Sequence, residues 1–267
     1  METSALVNNP VTLGALGMLV GGIGTLVGAG GGFLLVPVLL LLFPELEPAQ
    51  VTATSLAVVA LNSTSGSMAY ARLGRVDFGM GWRLALAMIP GVVAGVSLVS
   101  YIPRDLFQKF FSVLLFTLAA YLVAKPEKGS SIAHNGKGVP DGQQEAAYPV
   151  NIPIGIGLSA AAGFLASLLG IGGGPFHVPL LIYILRYPVS IATATSQFAL
   201  AVMAWGAVLL HLLRGEYSGV WWLLATVGSG AIIGAQAGAR LSQRVHDVFI
   251  VRALGVVLGT VALRLIA

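Results

Sequence analysis

The run Gly28-Ala29-Gly30-Gly31-Gly32-Phe33-Leu34-Leu35-Val36-Pro37 returns as Gly170-Ile171-Gly172-Gly173-Gly174-Pro175-Phe176-His177-Val178-Pro179, with equivalent positions 142 residues apart. Downstream of it, Val51-Thr52-Ala53-Thr54-Ser55 returns as Ala192-Thr193-Ala194-Thr195-Ser196. Order, spacing and chemistry agree, so one unit has been built twice. Each copy carries a glycine run that breaks a helix. A doubled apolar chain interrupted at corresponding points has the pattern of transporters whose site lies between their repeats.

Composition fixes the solvent. The chain is 57% hydrophobic and 9% charged, with mean hydropathy +0.90, whereas a soluble domain carries about 25% charged residues. Apolar stretches recur at 11–29, 33–43, 51–70, 80–101, 105–124, 152–169, 175–187, 191–213, 219–239 and 248–266. Most reach the roughly 20 residues that cross a hydrocarbon core as helix; those at 33–43 and 175–187 are too short. A barrel would alternate polar and apolar residues within segments of about 10, and these runs are apolar on all sides. The expectation is an all-α integral membrane protein, multi-pass in the cell membrane.

The first ten residues contain Glu2 and no Lys or Arg, so no basic leader region is read there and the mature chain is expected to start near Met1. Cysteine is absent, which removes disulfides, thiolate metal sites and thiol catalysis together. The net charge of +4 does not point to nucleic acid, because the basic residues are spread over loops, where they anchor topology. The polar stretch 125–151 lacks a sustained apolar period and reads as a flexible linker. It separates a first transmembrane repeat, 1–124, from a second, 152–267.

Counting Lys and Arg orients the chain. If each glycine run merely kinks a crossing helix, one side carries Arg72, Arg75, Arg83, Lys125, Lys128, Lys137, Arg214 and Arg264, a split of eight against six. If each run turns the chain back as a hairpin, only Arg104, Lys109, Arg214 and Arg264 stay on the sparse side, ten against four. The positive-inside rule selects the hairpins. The linker is then cytoplasmic, Glu45 and Glu47 face outward, and the two repeats are inverted, with their glycine hairpins meeting near the membrane midplane.

Consecutive glycines permit φ > 0, so Gly30-Gly31-Gly32 and Gly172-Gly173-Gly174 can turn sharply between two helical arms. Irregular backbone survives at membrane depth only where protein or a watery cavity covers it. The arms that follow begin with unpaired amides, which attract anions. Glycine pairs at helical spacing, namely Gly17/Gly21, Gly24/Gly28, Gly91/Gly95, Gly230/Gly234, Gly234/Gly238 and Gly255/Gly259, are assigned instead to close helix packing.

The second repeated element supplies side chains. Thr52, Thr54, Ser55 and Asn62 fall in one apolar helix, with Ser63, Thr64, Ser65 and Ser67 following, and Thr193, Thr195, Ser196 and Gln197 in its counterpart. Hydroxyls and amides donate hydrogen bonds without fixed charge, which suits an oxyanion that must also leave; interhelical hydrogen bonding is the structural alternative. Gln236 is a further substrate contact candidate, and Arg240 either draws an anion to the cytoplasmic mouth or snorkels to the interface. His177 stands where the first repeat has Leu35 and is the candidate for proton coupling. Trp82, Trp221, Trp222, Tyr70 and Tyr217 read as interfacial anchors.

An intramembrane serine hydrolase would need Ser65 or Ser67 within reach of His177 or His211. A cation permease would need carboxylates inside helices, whereas Asp77, Asp105 and Asp247 lie at segment ends. No phosphate-cradling Gly-x-x-x-x-Gly-Lys-Ser/Thr occurs.

Gly-x-Gly-Gly-Gly-x-x-x-Val-Pro, followed by Thr-Ala-Thr-Ser and later by a glycine-rich helix near an Arg, resembles the TauE/SafE sulfite exporter family over nearly the whole chain. The resemblance implies a permease, in the bacterial inner membrane, that exports sulfite or an organosulfonate by a proton-linked secondary route. No cofactor or metal is implied, and oligomeric state is left open. It carries over Gly30, Gly31, Gly32, Thr52 to Ser55, Gly172, Gly173, Gly174 and Thr193 to Ser196. Sulfite fits such a site physically, since it is a small anion with acceptor oxygens that backbone amides and hydroxyls can match. Pro175 and His177 depart from the first repeat, so a two-fold site would be imperfect.

Overall fold

The computed structural model describes residues 9–124, 152–185 and 187–242. The linker 125–151, the apolar stretch 248–266 and the pair Gly255/Gly259 lie outside the described residues. Among the described residues there are nine helices and no strand: α1 Pro10–Val27, α2 Gly32–Leu42, α3 Pro48–Arg72, α4 Phe78–Val99, α5 Arg104–Ala124, α6 Ile152–Leu169, α7 Gly174–Pro179, α8 Val189–Leu213 and α9 Trp221–Leu241. Four of them, α1, α4, α8 and α9, are long and apolar enough to cross a membrane. The short apolar runs become short helices, α2 of 11 residues and α7 of 6, the latter widening after Pro179 into a π-turn over Leu180–Ile184.

Local chemistry sets the helix starts. Asn9 accepts the Val11 amide at 2.9 Å, and Pro10 follows at the first position of α1, where a missing N–H is harmless. Glu47 and Gln50 form a capping box at the head of α3. Asp77 caps α4 by accepting the Met80 amide at 2.9 Å. Gly28, at φ 76°, closes α1 in the left-handed conformation.

Glycine-lined seams hold the helices together. A β-carbon on Gly17 would stand 2.1 Å from the Val227 carbonyl oxygen, one on Gly234 2.1 Å from that of Met18, and one on Gly238 2.3 Å from that of Gly22. Contacts climb both helices together, so α1 and α9 run parallel. Gly91 against Ala160 (2.1 Å) and Gly95 against Phe164 (2.6 Å) join α4 to α6 in the same sense. Such approaches leave no room for a side chain, and close packing is what small residues contribute in lipid. By contrast α3 and α8 run antiparallel: the Trp205 indole donates to Thr64 at 3.0 Å, and Gly66, further along α3, lies against Gln197, earlier on α8. Each of these three pairings joins the first half of the chain to the second.

The aromatic anchors divide. Trp82, Trp221 and Trp222 are exposed, but Tyr70 and Tyr217 are buried at 1% and 2% exposure. Their rings fill the core and each phenol needs a partner there: Tyr70 donates to the Thr25 carbonyl at 3.0 Å, and Tyr217 to that of Ala53 at 3.2 Å. The sequence reading that placed both at the interface is corrected. Gly24 also departs from its helix-packing assignment, because a β-carbon there would meet the Gly31 amide nitrogen at 2.3 Å, within the same glycine run.

Candidate functional site

The two glycine runs adopt the same conformation. Gly28, Gly30 and Gly31 have φ of 76°, 73° and 85°; their equivalents Gly170, Gly172 and Gly173 have 71°, 79° and 71°. Any other residue would be strained at these six positions. Gly31 and Gly173 then serve as N-caps of the short helices α2 and α7. At the far end of α2, Phe43 meets Trp222 with ring centroids 6.1 Å apart, and beyond α7 the side chain of Leu185 lies 3.1 Å from a β-carbon built on Gly155.

These two elbows touch, backbone to backbone. A β-carbon on Gly32 would stand 2.5 Å from the Gly170 carbonyl oxygen, and one on Gly174 only 2.0 Å from the Ala29 Cα. Val59 lies against Gly30, Gly32 and Gly172, and Leu200, its equivalent on α8, against Gly30 and Gly173.

The repeated Thr-Ala-Thr-Ser motifs embrace the opposite elbows. Ser55 donates its hydroxyl to the Gly170 carbonyl at 2.6 Å, and Ser196 donates to that of Gly28 at 3.1 Å. Thr52 bonds within its own helix, to the Ala49 carbonyl, and its Cα abuts Gly170; Thr193 abuts Gly28. Thr195 accepts the Asp77 amide at 3.0 Å. Thr54 is buried, and its hydroxyl has no hydrogen-bond partner among the described residues.

Polarity beyond these motifs gathers on one elbow. Asn62 donates to the Gly30 carbonyl at 3.1 Å and accepts the Thr25 hydroxyl at 3.3 Å, while Gln197 donates to the Gly24 carbonyl at 3.3 Å. Ser63 Oγ lies 3.0 Å from a β-carbon built on Gly30. The corresponding residues around the second elbow are Ser167, Met203, Ala204 and Leu56. There Gly173 faces Ala166, Met88 and Leu200, and Ser167 spends its hydroxyl on the Gly163 carbonyl. The first elbow is surrounded by polar side chains and the second largely by apolar ones.

Gln236 stands apart from the elbows: its amide donates to the Ser65 carbonyl and hydroxyl at 2.8 and 2.9 Å, tying α9 to α3. His177 is fully buried and its Nε2 lies 3.1 Å from Ser159 Oγ. Ser159 gives its one proton to the Gly155 carbonyl at 2.7 Å, so the imidazole is the donor in that pair and Nδ1 is left as an acceptor without a partner among the described residues. Among the described residues, neither Ser65 nor Ser67 is hydrogen-bonded to His177 or His211, the pairs expected of a serine hydrolase. Ser65 donates to the Ile232 carbonyl, and His211 is bound to Glu216. Both groups are taken up by nearer partners.

Sequence reasoning missed Thr25, Ser159 and the Asp77–Tyr187 bond, in which the Tyr187 phenol donates to the Asp77 carboxylate at 2.8 Å. Asp77 marks a segment end in sequence but is 9% exposed, held by the α4 cap and by a tyrosine from the other half. Thr25 sits between two glycines of a packing pattern, and its value emerges only once α3 is laid beside it.

Apolar helices long enough to cross a bilayer, carrying two glycine elbows that enclose buried polar groups, define a membrane protein of the transporter class. The chain belongs to the sulfite exporter TauE/SafE family, whose model matches residues 13–265. It is 28% identical to the probable membrane transporter protein YunE of Bacillus subtilis, over 96% of this chain and 97% of that one. It is 26% identical to the probable membrane transporter protein ORF9 of a Sinorhizobium species, over 90% and 86%. A probable membrane transporter protein of Methanocaldococcus jannaschii is 27% identical over 74% and 70%. No solved structure matches the chain.

Proposed function

We propose that the protein is a secondary transporter of a small sulfur oxyanion, sulfite or an organosulfonate, exporting it across the bacterial inner membrane by a proton-linked route. The observation that carries this reading is the contact between the elbows, each held by a serine of the opposite half.

In this reading each glycine run turns its chain back, so that α1–α2 and α6–α7 are hairpins entering from opposite faces. Parallel packing of α1 with α9 puts Pro10 on the same side as Trp222, and Phe43, beyond α2, meets that same tryptophan. Leu185, beyond α7, returns to the level of Gly155 near the start of α6. The antiparallel course of α3 and α8, equivalent helices of the two repeats, supports inversion. The anion is held at the interface, by the amides of Gly31 and Gly32 at the head of α2 and by Asn62 and neighbouring hydroxyls, the Gly30 amide being bonded to the Gly24 carbonyl. Gly172, Gly173 and Gly174 close the site from the other face. A site built of neutral donors binds modestly and releases readily, as a carrier requires. A proton travels with the anion or through His177, whose Nδ1 has no partner among the described residues.

The test is flux of labelled sulfite, thiosulfate and sulfoacetate in proteoliposomes under an imposed pH gradient. Movement of at least one, responding to the gradient, is expected. Absence of flux from folded protein overturns the substrate class; flux indifferent to pH overturns proton linkage.

A further inference from the structure

The polar elbow sets buried side-chain oxygens beside the end of a helix. Helix α1 ends here, and the last carbonyls of a helix carry its negative dipole end. Those of Gly24 and Thr25 are taken up, by the amides of Ala29, Gly30 and Gln197 and by the Gly28 amide and the Tyr70 phenol, whereas the Gly30 carbonyl in the turn itself accepts only the Asn62 amide, with Ser63 against it and Gln197 nearby. Two of those side chains are fully buried and incompletely bonded: Ser63 Oγ and Gln197 Oε1 have no hydrogen-bond partner among the described residues. The Gln197 amide is oriented by its donation to the Gly24 carbonyl, so the free atom is the oxygen. Gly66 makes room beside it, since a β-carbon there would come within 3.0 Å of the Thr25 side chain and 3.6 Å of Gln197 Cδ.

Buried oxygens without donors cost free energy unless something positive meets them. The repeat makes the point by contrast, because Met203, Ala204 and Leu56 fill the corresponding positions with apolar atoms. Packing alone therefore does not demand oxygen at this level of the fold. We infer that the first elbow is a binding site for a monovalent hard cation, Na+, held by the unwound Gly30 carbonyl together with the side-chain oxygens of Asn62, Ser63 and Gln197. Neutral carbonyl, amide and hydroxyl oxygens suit a hard cation, and unwound carbonyls and half-helix C-terminal ends are where transporters hold Na+. No carboxylate is present to balance a divalent ion, and no group of three or more His, Asp or Glu that could hold one occurs among the described residues. The confined space beside Gly30 favours the smaller Na+ over K+.

Cation binding stands independently of the anion reading; its consequence for transport rests on that reading. The same glycine turn carries the negative end of α1 and the positive end of α2, so a cation and an anion bound there attract each other and travel together. The direction of net flux then follows the sum of their gradients.

The test is thermal unfolding of the purified full-length protein in detergent, without sulfite, in sodium, potassium or choline chloride at constant ionic strength. A melting temperature that rises saturably with sodium, and not equally with potassium or choline, is expected. Ser63→Ala removes an unpaired hydroxyl, so in choline it melts at or above the wild-type temperature. It needs at least tenfold more sodium for half the effect, and Gln197→Leu behaves likewise if it folds. Equal melting in sodium and choline overturns the inference, as does a Ser63→Ala protein with wild-type sodium dependence. In proteoliposomes sodium lowers the half-saturating sulfite concentration, and sulfite lowers that of sodium by the same factor. If no oxyanion moves while sodium still raises the melting temperature, the anion reading fails and the cation site stands.

Discussion

Ser55 and Gly170 lie 115 residues apart, yet the serine hydroxyl donates to the glycine carbonyl at 2.6 Å. The equivalent bond of the other half, Ser196 to Gly28, is 3.1 Å long. Each half of the chain therefore fastens the turn of the other. A repeated sequence has become a reciprocal structural contact.

Removing one fastener exposes a buried carbonyl that water does not reach. Ser55→Ala and Ser196→Ala are each expected to cost about 1–3 kcal/mol, the penalty of an unpaired buried acceptor. The shorter bond predicts the larger loss for Ser55→Ala. Denaturant or thermal unfolding of the purified variants measures the order.

Gly174 separates steric demand from glycine flexibility. A β-carbon there meets Ala29 Cα at 2.0 Å, so Gly174→Ala must push the elbows apart, at about 1–3 kcal/mol for overpacking. Gly206, in the middle of α8, has nothing within 4 Å of such a carbon. Gly206→Ala is expected to stabilise by up to about 1 kcal/mol through helix propensity. Melting temperatures that move in opposite directions support this account; a common direction contradicts it.

Burial holds the Tyr217 phenol above its ordinary range near 10, and the neighbouring Glu216 carboxylate pushes it the same way. The folded protein thus keeps the proton after the unfolded chain has lost it. This contribution to stability is complete below about pH 10 and is lost as pH rises above it. Tyr217→Phe should be less stable at neutral pH by about 1 kcal/mol, having lost the bond to the Ala53 carbonyl. Its stability should also fall less steeply than wild type above pH 10, which paired unfolding curves across that range determine.

The Tyr187–Asp77 bond joins the chain leading into α8 to the cap of α4. Tyr187→Phe breaks that link and spares the cap, whereas Asp77→Ala removes both. The second substitution should cost more, by roughly the 0.5–2 kcal/mol of a lost N-cap. Unfolding free energies of the two variants rank them.

Much of this architecture is written in residue types. Duplication, the apolar class and the two breaks follow from glycine runs and composition. That glycine pairs serve close packing follows from spacing, because a four-residue glycine period has few other uses in lipid, whereas their joining α1 to α9 and α4 to α6 does not. Other features depend on three-dimensional company that no single helix announces. Ser55 and Ser196 read as donors suited to an oxyanion, but their protons go to the opposite elbows, and a partner 115 or 168 residues away leaves no local trace. Tyr70 and Tyr217 sit at segment ends, as interface anchors do, and only the crossing of helices at those ends buries them. The one-sided polarity around Gly30 was visible in part: Asn62 and Gln197 stand out from apolar neighbours, while the significance of Met203 and Leu56 emerges only when the repeats are superposed residue by residue.

The central claim is that the meeting of the two elbows is the transport centre. Labelled sulfite flux in proteoliposomes should be compared at equal protein for wild type, Gly206→Ala and Gly32→Ala, whose new β-carbon would strike the Gly170 carbonyl oxygen at 2.5 Å. The account predicts flux in the first two and at least a tenfold loss in Gly32→Ala that remains folded and inserted. Wild-type flux through Gly32→Ala would contradict it.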